Sequence, residues 1–466
     1  MVFSSQIFLF IFLPLTLLFY YLFKGEFRNY ILLLASLFFY GWGGLSFLPI
    51  LLSSILINYI FGILISKFNK KDFLSKFVLF IGILLNLILL FTYKYYDFTI
   101  YNLNNILNLN LPLKNIVLPI GISFFTFQGM SYIIDIYRND AKVNKNFFSV
   151  ALYISLFPQL VAGPIVKYKD IDLQISNRKE TIESFSYGIE RFIIGLAKKV
   201  IIADVLAEIA SGIFSLSSSG IDIPTAWIGI ICYTLQIFFD FSGYSDMAIG
   251  LGHFFGFEFM ENFNYPYISK SITEFWRRWH ISLSNWFKEY LYIPLGGNRT
   301  GHTYRNLFIV FFVTGLWHGS SWNFIIWGLW HGLFIVLEKF ISKKNWYIKT
   351  PAFIKWLITI FIIMIGWVFF TFNSLTDGLN YLLIMFGFIT KDIITFDIWT
   401  YINVRVILWI FISIILSTPL ISNISKKYNS NKYFELIKTL LLAILLIISI
   451  IFMVNSTYSP FIYFQF

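Results

Sequence analysis

The chain has 466 residues, of which 58% are hydrophobic and 21% aromatic against 13% charged, and its mean hydropathy is +0.73. Soluble globular chains carry about 25% charged residues, so lipid is the solvent that this composition matches. The net charge of +11 does not mark a nucleic-acid partner, because the Lys and Arg residues are spread between apolar runs, the pattern of positive-inside topology, and do not form one patch.

The first apolar run, 4–23, lacks a basic start and a small-residue cleavage site, so it reads as a retained helix and not as a cleaved leader. Further runs follow at 29–43, 47–66, 74–93, 116–137, 185–214, 225–250, 306–318, 321–341, 353–372, 402–423 and 433–455. Apolar segments of about 20 residues span a bilayer as helices, which predicts an all-α, polytopic integral membrane protein with about 11–12 membrane helices. One membrane domain is expected, with N-terminal helices in 1–115, a core in 116–345 and C-terminal helices in 353–466. Loops carrying Lys24 and Arg28, then Lys67, Lys70, Lys71 and Lys76, then Arg138, Lys142 and Lys145 alternate with loops almost free of positive charge. Positive-inside bias puts the basic loops in the cytoplasm and both termini outside. The stretch 147–164 is apolar but broken by Pro158, Gly163 and Pro164, and Lys167, Lys169, Arg178 and Lys179 follow it. A re-entrant segment fits, since irregular backbone at membrane depth needs protein or water around it. The single cysteine, Cys232, excludes an intramolecular disulfide and a cysteine-rich metal site.

Between Glu261 and Arg305 the chain turns polar while staying aromatic, with Lys270, Arg277, Arg278, Lys288, Arg299 and Arg305 against Glu261, Glu274 and Glu289. Phe275, Trp279, Leu283, Trp286 and Tyr290 recur at helical spacing opposite Glu274, Arg278, Ser282, Asn285 and Glu289, which predicts an amphipathic helix at the inner surface. Such a helix is either structural, with snorkelling arginines, or functional. His280 falls beside the apolar stripe, where an imidazole needs a partner or a task.

The run Gly315-Leu316-Trp317-His318-Gly319 recurs as Gly328-Leu329-Trp330-His331-Gly332. A histidine inside an apolar run is costly unless it pairs or lines a wet cavity, so His318 and His331 are read either as hydrogen-bonded packing residues or as an intramembrane site. Gly315 and Gly319 are expected to let a ligand chain approach the backbone. Imidazole has an unperturbed pKa of about 6.5 and suits general-base removal of a hydroxyl proton. No two histidines stand at i and i+4 and no carboxylate is beside His318, so no metal is expected. Asp240, Tyr244 and Asp246 form a third polar cluster in an apolar helix; with Gln128 and Asp135 they either support the site or tie helices together. At the C-terminus, Tyr463 sits in an aromatic belt and is a candidate to carry or hand on an acyl group.

The segments Thr273 to Ser284, Tyr292 to Arg299 and Gly315 to Trp327 resemble the membrane-bound O-acyltransferase family, most closely the bacterial branch of alginate and peptidoglycan O-acetyltransferase membrane subunits. The likeness spans nearly the whole chain. It implies helices around a central funnel open to the cytoplasm, His318 as catalytic histidine and His280 as second functional histidine. It further implies acetyl-CoA as co-substrate with no bound cofactor, and a periplasmic SGNH-type O-acetyltransferase or related partner that completes transfer to a polysaccharide. Coenzyme A carries several phosphate charges, so Arg277, Arg278, Lys288, Arg299 and Arg305, with Trp279, form the expected donor site. The function expected is O-acetylation of peptidoglycan, alginate or a similar glycan from the bacterial inner membrane. Its alternatives are a transporter or flippase of a lipid-linked intermediate, a D-alanyl-transferring relative, and a structural scaffold. No pair of matching broken helices marks an inverted-repeat transporter, and the run Ile293 to Arg299 resembles the acetyl branch more than the D-alanyl one.

Overall fold

Without water to satisfy backbone N–H and C=O groups, an apolar run closes its hydrogen bonds within itself. A computed structural model of the chain describes residues 1–70, 72–216, 220–389, 402–428, 431–455 and 461–462. Every regular element among them is a helix. Six described helices are long and apolar enough to cross a membrane: Leu45–Ser66, Phe73–Leu107, Ile223–Phe254, Trp322–Ile341, Ala352–Thr371 and Lys432–Asn455. Val404–Leu416 and Leu420–Tyr428 make a seventh if taken together, bent by 54°. Two other expected spans are shorter helices, Phe27–Trp42 and Thr303–His318, each of 16 residues. Such a helix rises about 24 Å, less than the roughly 30 Å of a bilayer's hydrocarbon.

Burial follows the logic of a lipid solvent. The Lys432–Asn455 helix has only 11% of its most apolar window buried, whereas Ile223–Phe254, which carries Asp240 and Asp246, has 67% buried. Polar side chains at membrane depth are turned inward, toward protein.

The chain divides into two units, Met1–Phe192 with Tyr244–Met260, and Ile193–Gly243 with Glu261–Ile462; the Ile223–Phe254 helix contributes to both. In the first, Leu48–Ser66 and Phe73–Leu90 pack on Ile122–Arg138, and Phe27–Trp42 packs on Phe147–Ser155. The buried amides of Asn58 and Asn86 exchange hydrogen bonds of 3.0 Å in both directions, so neither is left unsatisfied between apolar helices. The irregular stretch after residue 147 forms two short helices, Phe147–Ser155 and Phe157–Leu160, and residues 150–168 are buried in protein. Asp135 accepts the backbone N–H of Lys169 at 3.1 Å, a helix-tying role.

In the second unit, Thr303–His318 packs along Trp322–Ile341, which packs on Ala352–Thr371 and on Ile272–Arg278. The single amphipathic helix expected across 273–290 is absent. Two seven-residue helices, Ile272–Arg278 and Ile281–Phe287, stand there with a wide π turn, Lys288–Tyr292, after them. The break falls at His280, whose backbone is left-handed (φ 44°, ψ 55°). Both sides of the break are pinned from a distant segment: Asn264 donates its N–H to the Arg278 carbonyl and Ile281 donates to the Asn262 carbonyl, each at 2.9 Å. The apolar stripe is nonetheless buried at all five positions, Phe275, Trp279, Leu283, Trp286 and Tyr290.

Candidate active site

The geometry around His280 is built from one amide. Asn262 Oδ1 accepts from Ser282 N–H at 3.2 Å and from Ser282 Oγ at 2.9 Å, and lies 3.1 Å from His280 Nδ1. Because a backbone N–H can only donate, the Asn262 atom is an oxygen, and His280 Nδ1 must carry a proton to bond it. Nε2 is thereby the basic nitrogen. The ring is fully buried, and burial lowers its pKa to about 3, so it is neutral across the physiological range. A left-handed conformation at a non-glycine residue is a strained arrangement held by its surroundings, as functional positions often are. Asn262 is the residue that sequence reasoning missed; nothing in its local spacing signals a partner 18 positions away.

Aromatic rings join the histidines. His280 and Trp317 have centroids 6.1 Å apart, and Trp317 and His318 4.9 Å. His318 is the last residue of its helix, 3% exposed, and packs edge-on against Trp327 at 4.7 Å and Phe370 at 5.3 Å. His331 lies mid-helix with no exposure, ringed by Phe275, Trp276, Trp327 and Trp367, and its ring nitrogens have no hydrogen-bond partner among the described residues. Trp327 therefore touches both His318 and His331.

The repeated Gly-Leu-Trp-His-Gly run has a packing cause. A Cβ on Gly315 would strike the Phe324 carbonyl, and one on Gly328 would strike the Phe311 carbonyl and meet Gly315 Cα at 3.0 Å. A Cβ on Gly319 would enter the Phe324 ring. Gly315 and Gly328 let Thr303–His318 and Trp322–Ile341 cross backbone to backbone, and Gly319 makes room for the Phe324 ring, so helix packing fills the space expected to admit a ligand chain.

Arg277, Lys288, Arg299 and Arg305 are all exposed, whereas Arg278 is held by Glu274 at 3.0 Å. Trp279 does not join them: it is 1% exposed and packs on Phe263, Phe275 and Trp367. Asp240 is buried and ion-paired with Lys199 at 2.7 Å. Tyr244 and Asp246 belong to the first unit, where Tyr244 stacks on Phe3 at 4.5 Å and Asp246 pairs with Arg191 at 2.7 Å. Tyr463 lies outside the described residues.

Fold and site together define a multi-pass helical membrane protein that holds histidines inside an aromatic layer, with exposed cations on the same unit. Residues 138–386 match the model of the MBOAT, membrane-bound O-acyltransferase family. The chain is 45% identical over 397 residues to "Probable alginate O-acetylase AlgI" of Pseudomonas aeruginosa, covering 83% of this chain and 75% of that protein. It is 36% identical to the peptidoglycan O-acetyltransferase of Helicobacter pylori, covering 100% of this chain and 98% of that one. The teichoic acid D-alanyltransferase of Bacillus subtilis is 30% identical over 56% of this chain. The chain belongs to the membrane-bound O-acyltransferase family and is an acyltransferase.

Proposed function

We propose that this enzyme takes acetyl from acetyl-CoA on the cytoplasmic side of the bacterial inner membrane and passes it outward for O-acetylation of an envelope or exported polysaccharide. Both termini face the periplasm in this reading, and an SGNH-type or related protein there completes delivery. The relatives named for alginate and peptidoglycan O-acetylation support the acetyl group and the glycan acceptor. Arg277, Lys288, Arg299 and Arg305 bind the phosphates of coenzyme A, whose charge their own complements.

The observation that carries this reading is the convergence of His280 and His318, from separate segments, on the ring of Trp317. His318 acts as general base: it takes the acceptor hydroxyl's proton as that oxygen bonds to the thioester carbonyl carbon. The carbon–sulfur bond then breaks, and the coenzyme A thiolate leaves and takes up the proton. His280, whose one N–H is held by Asn262, presents its bare Nε2 as an acceptor that orients the donor in a site shielded from water. As the final residue of its helix, His318 faces the negative end of the helix dipole, which favours the charge that its ring acquires. With only 3% of the residue exposed, the acyl group reaches it by displacing part of the aromatic layer.

Labelled acetyl-CoA offered to vesicles with the cytoplasmic face outward tests the proposal. The native protein is expected to release free coenzyme A, a transporter releases none, and His318→Ala should lower the rate roughly 10²- to 10⁴-fold, the contribution of one acid–base group. Native turnover by His318→Ala, or a dead His331→Phe beside it, would reassign the base.

A further inference from the structure

The helix preceding residue 198 widens into a π turn, Lys198–Ala203, at which Lys199 is buried. Its Nζ lies 2.7 Å from Asp204 Oδ1 and 2.7 Å from Asp240 Oδ1. Gly243 makes this reach possible, since a Cβ there would stand 2.8 Å from the Gly195 carbonyl and 3.2 Å from Lys199 N. Two carboxylates against one ammonium leave an excess of acceptors inside a helical shell, where unmatched negative charge is costly. The second oxygen of Asp240 is met from far along the chain: Ile462 donates its backbone N–H to Asp240 Oδ2 at 2.8 Å. Phe461 and Ile462 are 2% and 6% exposed.

The same turn of helix touches the histidine layer. Phe241, next to Asp240, has its ring centroid 4.6 Å from His280 and 5.8 Å from Phe461. One aromatic side chain thus backs a candidate functional histidine on one side and the segment 461–462 on another.

We propose that Asp240, charged and oriented by Lys199, is a positioning residue: it latches the chain at Ile462 onto the ring that backs His280, so that delivery of the acyl group depends on this segment being held there. The inference rests on the acetyl-transfer reading above. It assigns to Asp240 a role in transfer distinct from tying helices, and to the segment 461–462 a place in the site. A carboxylate that meets an ammonium at one oxygen and a backbone N–H at the other cannot be reproduced by an amide, which has one oxygen for the two donors.

Ile462→Pro removes the latching N–H and leaves the Lys199–Asp240–Asp204 charges intact. Ile462→Ala keeps the N–H and controls for the lost side chain. In full-length protein, Ile462→Pro is expected to lower acetyl content of the polysaccharide roughly ten- to hundredfold relative to Ile462→Ala, the size of one charge-assisted hydrogen bond, at equal protein in the membrane. Carboxypeptidase should shorten the Pro variant faster than the Ala variant. Asp240→Asn should lower delivery similarly and add little in the Pro background, because both changes open the same latch. Delivery by Ile462→Pro within twofold of Ile462→Ala, equal carboxypeptidase rates, or effects of Asp240→Asn and Ile462→Pro that multiply would each overturn the latch. Loss of turnover in His318→Ala vesicles beside an unaffected Ile462→Pro would overturn it alone and leave the acetyl-transfer reading standing. The carboxypeptidase comparison needs no acyl transfer, so it decides the contact even if that reading fails.

Discussion

At the scale of single residues, the chemistry turns on how an imidazole is held. A neutral ring offers either nitrogen as donor, and Asn262 removes that choice at His280 by accepting from Nδ1. Replacing Asn262 with Ala should let the ring rotate and exchange tautomers, lowering acetyl-CoA turnover roughly tenfold to a hundredfold, as loss of an orienting hydrogen bond does at comparable histidine sites. Asn262→Asp keeps an acceptor for the same three donors and should retain more activity. The rate of coenzyme A release measures both, and an Asn262→Ala protein as fast as the native one would show that orientation of His280 is immaterial. His280 itself is visible in the sequence as a polar ring beside an apolar stripe; Asn262 is not, because an amide in a polar segment looks the same whether it faces solvent or a buried ring.

Helices show a second kind of legibility. The stripe from Phe275 to Tyr290 is expected on an amphipathic helix at the inner membrane surface; instead it is buried in protein, and the helix carrying it is interrupted at His280. Periodicity reports which side chains turn inward, and the bonds from 262–264 that interrupt the backbone come from outside the window in which periodicity is measured. The repeated Gly-Leu-Trp-His-Gly run is equally plain as a pattern, but its cause is a crossing of two helices at Gly315 and Gly328. Gly315→Ala should force these backbones apart and cost about 1–3 kcal/mol of stability, the range for overpacking a close contact. Thermal unfolding in detergent reads this as a lowered midpoint, and an unchanged midpoint would mean that the crossing has room to spare.

For the whole molecule, charge and apolarity act at longer range. Four exposed cations, Arg277, Lys288, Arg299 and Arg305, lie on a segment that also carries the buried aromatic residues Trp279, Trp286 and Tyr290. If they gather a polyanionic donor, KM for acetyl-CoA should rise with ionic strength, because exposed charges are screened beyond about 8 Å at 0.15 M salt. Replacing all four with Gln should raise KM roughly tenfold at low salt, change kcat less, and flatten the salt dependence. Steady-state kinetics at two salt concentrations check this, and a native KM indifferent to salt would remove these residues from donor binding. The multi-pass character was the easiest property to read, since a composition with 58% hydrophobic residues has few other solvents to fit.

By itself the amino-acid sequence determined the helical membrane class and the apolar stripe, which are properties of composition or of residues within a few turns of one another, and its motifs carried the resemblance to the family. Only the tertiary structure decided that His280 sits left-handed at a helix break under Asn262, that Gly315 and Gly328 let two helices cross in contact, and that Asp240 reaches a backbone N–H 222 residues away. Hydrogen bonds and close packing across such separations depend on where the chain returns in space, and no local pattern of residues records that return.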